Sequence, residues 1–297
     1  MVSPGILLVD KPSGLTSHDV VARTRRAFGT RKVGHAGTLD PMATGLLVIG
    51  IEGATRLLTY IVGADKTYEA TIRLGQTTGT DDAEGETLTT AAPEAWDAVT
   101  DDAVSAGIAA LTGEISQVPS AVSAIKVDGR RAYDRVRAGE EVVLAARDVV
   151  VSRFDLLESR RGAGYLDLDV IVDCSSGTYI RSLARDLGVA LGVGGHLSAL
   201  RRTRVGPFDV ADAVGLDALE GAITLTPAEA AGRILPVLDM STGNARDLRH
   251  GKRLGGQAAR LEGPMAAAVD PDGILIGIVE KRGGDLKSAM NMPGVER

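Results

Sequence analysis

The 297-residue chain carries 33 Lys and Arg against 39 Asp and Glu, a formal net charge of −6 at neutral pH, with 44% hydrophobic and 3% aromatic residues. That length allows one large domain plus a small one, with a core built chiefly from Val, Leu, Ile and Ala. The single cysteine, Cys174, excludes an internal disulfide and any multi-cysteine metal site, and no apolar run reaches the ~18 residues of a membrane span. The N-terminus has no charged-then-apolar leader, so a soluble cytoplasmic protein is expected.

Gly5 to Asp10 is a strand candidate ending on the Lys11-Pro12-Ser13-Gly14 turn. Ser17 is placed to cap a helix over about 18–28, with Gly29 as its stop. The loop Gly34-His35-Ala36-Gly37-Thr38-Leu39-Asp40-Pro41-Met42-Ala43-Thr44-Gly45 then runs into the apolar Leu46-Leu47-Val48-Ile49-Gly50, which reads as a buried strand. Three glycines free the loop for left-handed or crowded backbone, and Pro41 biases Asp40 towards an extended conformation. Asp40 therefore stands on a constrained loop at the mouth of a core strand, a common place for chemistry.

From Thr67 to Leu74 the chain alternates, with Tyr68, Ala70, Ile72 and Leu74 on one face and Glu69, Thr71 and Arg73 on the other. A polar loop with Asp82 spans Gly75 to Gly85, and Pro93 to Leu111 reads as one helix with an acidic face. Between Pro119 and Gly139 an Asp128-Gly129 turn is followed by a basic helix with Tyr133 and Val136 on one side. Arg147 to Leu157 and Leu166 to Val172 are strand candidates. A helix from Thr178 buries Ile180, Leu183, Ala184 and Leu187 and stops at Gly188. Arg181 sits in its first turn, where the helix dipole disfavours a cation by about 0.3–1 kcal/mol, so a partner for Arg181 is expected. About 211–236 reads as linker. In 237–297 a basic stretch (Arg246, Arg249, His250, Lys252, Arg253) precedes strand candidates at Met265 to Val269 and Ile274 to Val279, split by Asp270-Pro271-Asp272-Gly273.

The net charge argues against general polyanion binding, but its distribution is uneven. Basic residues cluster at Arg23 to Lys32, Arg130 to Arg137 and Arg201 to Arg204, and acids at Asp81-Asp82, Glu94 to Asp102 and Asp167 to Asp173. Local basic patches on an acidic body suit selective contact with a phosphate backbone.

The loop around Asp40 resembles the signature of the TruB family of tRNA pseudouridine-55 synthases. Further matching stretches follow in order: Asp10-Lys11-Pro12-Ser13-Gly14, Lys66-Thr67-Tyr68, Val118 to Lys126, Cys174 to Arg181 and His196 to Arg202. The likeness is strong over roughly 5–210 and weaker beyond. It implies an α+β fold with a central mixed, largely antiparallel sheet and flanking helices over 1–236, and a small PUA-like β-rich RNA-binding domain over 237–297. An RNA-clamping thumb is implied over about 119–147. It implies isomerisation of uridine 55 in the T-loop of tRNA, with Asp40 as nucleophile, Tyr68 stacked on the base and available to move a proton, and Arg181 holding Asp40 ionised. His35, Tyr179, Leu200 and Lys11 would border the substrate, and Lys126, Arg130 and Arg131 would meet phosphates. No cofactor and no metal are implied, and a monomer acting on tRNA away from membranes is expected.

The residues fit that chemistry. The N1–C1′ bond must break, the uracil turn, and C5 join C1′, which needs no external energy source. A uridine inside a folded loop must be flipped out to be reached, and Tyr68 could stack it for about 1–3 kcal/mol. An ionised Asp40 could attack C1′, attack C6 or remove the C2′ proton. A retaining glycosidase would need a second carboxylate about 5–5.5 Å away, and none is strongly placed. The competing reading is a non-catalytic RNA-binding or RNA-folding protein on the same scaffold; Asp40, Tyr68 and Arg181 together argue for the enzyme.

Overall fold

The computed structural model describes residues 2–121, 126–127, 130–131, 140 and 144–293. In chain order it forms β1 (Gly5–Lys11), α1 (Ser17–Phe28), β2 (Val33–His35), β3 (Thr44–Ile51), α2 (Leu58–Ile61), β4 (Lys66–Leu74), β5 (Gln76–Thr78) and β6 (Thr87–Thr90). There follow α3 (Asp101–Ala110), β7 (Gly113–Gln117), β8 (Lys126–Val127), β9 (Arg130–Arg131), β10 (Arg147–Gly162), β11 (Tyr165–Cys174) and α4 (Ile180–Ala190). The rest is β12 (Gly195–Val205), β13 (Phe208–Asp209), α5 (Pro227–Ile234), β14 (Val237–Asp239), α6 (Thr242–Arg249), β15 (Met265–Val269), β16 (Leu275–Arg282) and β17 (Asp285–Asn291). This is the expected α+β class. No helix among the described residues is long and apolar enough to cross a membrane.

The chain divides into two compact units, the first Met1–Pro41, Gly45–Gly63 and Val205–Arg297, the second Met42–Thr44 and Ala64–Arg204. In the first, β1 and β3 pair antiparallel from Gly5↔Ile51 to Lys11↔Gly45, and β2 pairs with β3 at His35↔Ile49. Alternate residues of these strands enter two cores. Leu7, Val9, Leu47 and Ile49 meet Val20 and Val21 of α1, while Ile6, Leu46 and Val48 share a core with Ala230 and Ala231 of α5 and Ala267, Val269 and Ile278 of the C-terminal sheet. That sheet has the order β14-β15-β16-β17, with β14–β15 parallel and the other pairs antiparallel. Its other face, Ala266, Ala268, Ile276 and Val279, packs on Ala245 and Leu248 of α6. The sheet is thus packed on both faces, each buried Leu or Ile side chain being worth about 1.5–3 kcal/mol.

The second unit is a sheet of order β12-β4-β11-β10-β7. Tyr68, Ala70, Ile72 and Leu74 are buried as the alternation requires, beside Leu166, Leu168, Val170, Val172 and Cys174 of β11. On the opposite face the acidic run pairs with residues directly across from it on β4. Asp167 takes both Nε and Nη2 of Arg73 at 2.7 Å, Asp169 accepts Thr71 at 2.7 Å, and Asp173 accepts Thr67.

Several local expectations are corrected. The N-cap of α1 is Thr16, which shares a capping box with Asp19, so Ser17 is the first helical residue; Gly29 ends the helix at φ 64° as expected. Pro93 to Leu111 is a 3₁₀ turn, Pro93–Ala98, and then α3, because Thr100 caps a new helix start by accepting Ala103 N–H. Gly188 lies inside α4. A Cβ there would sit 2.2 Å from the Gly194 carbonyl carbon, so this glycine serves close backbone approach rather than a stop. The linker stretch contains α5, opened by a capping box between Thr226 and Glu229 with Pro227 at its first position. In the basic segment, Lys126 pairs with Arg131 and Val127 with Arg130 across β8–β9. The expected Asp128-Gly129 turn and the helix bearing Tyr133 and Val136 lie outside the described residues.

Candidate active site

The expected site residues fall on both units, and each set has its own supports. On the first unit Asp40 is half-buried in the loop between β2 and β3. Gly37 and Gly45 take φ of 95° and 99°, conformations an L side chain rarely adopts. The two neighbours of Asp40 in sequence are held through their backbones. Leu39 N–H donates to Ser17 Oγ at 2.8 Å, and Ser17 Oγ donates to Leu39 O at 3.2 Å. Pro41 O accepts Gly14 N–H at 2.8 Å and Lys11 Nζ at 3.2 Å.

Lys11, expected to border the substrate, is tied to the backbone of this loop region. It is 0% exposed, and its ammonium also donates to Leu15 O at 2.7 Å and Pro12 O at 3.0 Å, so it braces the loop from within. His35, on β2, meets the exposed His18 of α1 edge-to-face with ring centroids 5.5 Å apart.

On the second unit Tyr68 is buried on β4 and Leu200 on β12. Arg181 occupies the second position of α4, and its side chain is all but buried. Its Nη1 lies 3.4 Å from Asp82 Oδ2, donates to Thr80 O at 2.8 Å and approaches Ser120 Oγ at 3.4 Å. This answers the question posed by a cation at a helix N-terminus, because a buried carboxylate outweighs a dipole effect of about 0.3–1 kcal/mol. Asp82 also accepts Glu84 N–H at 3.0 Å, which folds its loop around the carboxylate. One turn further along α4, Arg185 reaches Asp81 at 3.4 Å and Val118 O at 2.7 Å. Asp81 has φ 59°, a left-handed conformation that Asp tolerates better than most residues.

Tyr179 caps α4, and its backbone is bracketed by the buried Gln117. Tyr179 N–H donates to Gln117 Oε1 at 2.8 Å, and Gln117 Nε2 donates to Tyr179 O at 3.1 Å. Sequence reasoning gave Asp82 little weight and did not single out Gln117 or Ser17 as parts of a site. A glutamine ending a strand and a serine opening a helix look ordinary until their partners are seen.

Two residues before Tyr68 on the same face of β4, Lys66 is buried with Nζ 2.6 Å from Ala64 O and lies opposite Cys174. Burial, aided by the Arg202 cation, lowers the Lys66 ammonium to about 8. Burial likewise pushes the Cys174 thiol up to about 11, which makes it inert as a nucleophile near neutral pH. Among the described residues no group of three or more His, Cys, Asp or Glu side chains is placed to hold a metal ion.

The architecture defines the class first. It matches a substrate-bound H/ACA ribonucleoprotein structure at a TM-score of 0.71, with 24% identity, over 98% of this chain and 86% of that one. It matches an archaeal box H/ACA Nop10–Cbf5 complex at 0.69, with 26% identity, over 99% and 86%. These likenesses define the α+β architecture of the chain. The sequence is 62% identical to tRNA pseudouridine synthase B of Leifsonia xyli subsp. xyli, over 100% of this chain and 99% of that one, and 55% identical to that of Arthrobacter sp. over 96% and 95%. Residues 25–180 match the TruB family pseudouridylate synthase N-terminal domain, and 181–239 and 235–293 match two C-terminal domains described for TruB-type synthases. The chain belongs to the TruB family of pseudouridylate synthases.

Proposed function

We propose that this chain isomerises uridine to pseudouridine at position 55, in the T-loop of tRNA, as a cytoplasmic monomer without cofactor. The observation that carries the reading is Asp40, set in the family's loop signature with the backbone on either side of it hydrogen-bonded to the 11–17 segment. The relatives' name supports tRNA as substrate.

In this reading the target uridine leaves its stack and lies on Tyr68, which costs a few kcal/mol in unstacking and regains about 1–3 kcal/mol in base stacking. Arg181 keeps the Asp40 carboxylate ionised, and Asp40 acts on the nucleoside so that N1–C1′ breaks. The uracil turns, C5 bonds to C1′, the C5 proton leaves with help from the Tyr68 hydroxyl, and N1 takes up a proton in its place. Atoms balance without water or an external electron carrier, so product and substrate are isomers. His35, Tyr179 and Leu200 border the base, and Lys126, Arg130 and Arg131 of the thumb segment contact phosphates, as does the 237–297 segment.

The test is tritium release from tRNA labelled at uridine C5. Wild-type protein should release label from tRNA carrying uridine at position 55 and none when that position alone is cytidine. Asp40→Asn should bind tRNA and release essentially none. Release from the position-55 cytidine tRNA would refute the assigned position, and Asp40→Asn activity within about tenfold of wild type would refute the nucleophile.

A further inference from the structure

We propose that Ser17 is a positioning residue for catalysis, fixing the Asp40 carboxylate by clamping the backbone of Leu39 from the first turn of α1. The inference rests on the reading of Asp40 as the nucleophile.

A serine hydroxyl has one proton to donate and lone pairs to accept. Here both functions go to one residue, with Leu39 N–H donating to Oγ at 2.8 Å and Oγ donating to Leu39 O at 3.2 Å. The side chain therefore acts towards Leu39 as a neighbouring strand would. Ser17 is 1% exposed and Leu39 3% exposed, so water does not compete for either bond.

The geometry reaches Asp40 directly. Leu39 O belongs to the peptide group whose nitrogen is that of Asp40, so holding this oxygen holds the plane from which Asp40 departs. On the other side Pro41 has φ fixed near −65° by its ring, and its carbonyl accepts Gly14 N–H and Lys11 Nζ. Little rotation is left to the one residue between them.

The serine is free for this work because it is not the cap. Thr16 accepts Asp19 N–H at 3.1 Å while Asp19 accepts Thr16 N–H at 2.8 Å, and this closed box makes the first turn of α1 a firm base for the clamp. A loop that positions a reacting group to within a fraction of an ångström needs such outer supports, since a shift near 1 Å can cost about 10²-fold in rate.

The experiment compares Ser17→Ala, Ser17→Thr and Thr24→Val. Thr24 is 0% exposed in the same helix and bonds only within it, to Val20 O at 2.9 Å, so its valine variant loses a buried hydroxyl without touching the loop. Single-turnover rate at saturating tRNA, tRNA Kd and Tm are measured for all three, with Asp40→Asn alongside. The expected result is a rate loss of at least about tenfold in Ser17→Ala with Kd within about twofold, recovery of most of that rate in Ser17→Thr, and a normal rate in Thr24→Val despite a lowered Tm. A Ser17→Ala rate within about twofold of wild type overturns the proposal, as does an equal rate loss in Thr24→Val, which would mark a general stability effect. If Ser17→Ala does not fold, Ser17→Cys takes its place, since a thiol is a weak donor and acceptor: a rate loss of at least about tenfold at unchanged Kd, with Ser17→Thr near normal, supports positioning, and a normal rate in Ser17→Cys or a loss in Kd alone overturns it. An active Asp40→Asn removes the underlying reading instead, so the two failures are distinguishable.

Discussion

Arg181 and Asp82 form a buried ion pair, Nη1 to Oδ2 at 3.4 Å, with both side chains under 5% exposed. The pair ties the first turn of α4 to the loop between β5 and β6, and Arg185–Asp81 repeats the tie one turn on. Charges this deeply buried are costly to separate, because the partner left behind keeps its desolvation penalty. Asp82→Ala should therefore destabilise the protein by about 3–5 kcal/mol in urea unfolding. Arg181→Lys keeps the charge but loses the guanidinium whose Nη1 faces Asp82, Thr80 O and Ser120 together, and a lysine on its flexible stem does not substitute for it conservatively, so turnover should fall at least about tenfold. Full stability in Asp82→Ala would show that the pair contributes nothing net.

The Tyr68 prediction separates stacking from proton movement. Tyr68→Phe keeps the ring face and removes only the hydroxyl, whereas Tyr68→Leu removes both. The Phe variant should lose at least about tenfold in single-turnover rate at unchanged tRNA affinity. The Leu variant should in addition bind more weakly, by up to about 1–3 kcal/mol. A Phe variant with near-normal turnover would leave Tyr68 as a stacking platform alone.

The same strand shows what a sequence can and cannot convey. Alternation of Tyr68, Ala70, Ile72 and Leu74 announced β4 because its inward residues are apolar, and the stripe Ile180, Leu183, Ala184, Leu187 announced α4 for the same reason. No strand was read at β12, whose buried positions include His196 at 5% and Arg202 at 1% exposure. Polar side chains at core positions erase the hydropathy signal that strand reading depends on. Asp40 was legible from its motif. Its supports were not, because Ser17, Gly14 and Lys11 act on backbone atoms that only the folded loop brings to them. Asp82 looked like one more acid in a polar loop, since its burial is produced by a helix about a hundred residues away in sequence.

Lys66 gives a pH prediction with a defined sign. Its ammonium titrates at about 8 in the folded protein, below the 10.5 of a free lysine. Between those values the unfolded chain binds more protons than the folded one, so stability rises with pH across the window. The cost of burying the charge is fully present below pH 8. Cys174, raised to about 11 from 9.0, opposes this only above pH 9. Unfolding free energies of wild type and Lys66→Met are therefore compared between about pH 7.5 and pH 9. Wild type should gain stability relative to the methionine variant over that interval, and a constant difference would show that Lys66 is solvated when folded.

The final prediction concerns the C-terminal segment, whose expected role is to grip tRNA. Deleting residues 237–297 is a poor test of that role, because Ala267, Val269, Leu275 and Ile278 share a core with Ile6, Leu46 and Val48 of β1 and β3. Loss of those side chains should lower Tm and disturb the very strand that follows the Asp40 loop, so a truncated protein should lose activity on every substrate. The informative variant replaces the exposed Arg246 and Arg253 by Ala, since neither belongs to that core. If the segment meets phosphates, binding of whole tRNA should weaken and its log–log salt slope should flatten by about 0.7–0.9 for each phosphate no longer neutralised. Binding of an isolated T-arm stem-loop should stay unchanged, as should single-turnover rate at saturating tRNA, because these arginines would position RNA without touching the uridine. Equal weakening on the stem-loop and on whole tRNA would place the grip on the T-arm itself, and no weakening on either would remove the segment from RNA binding.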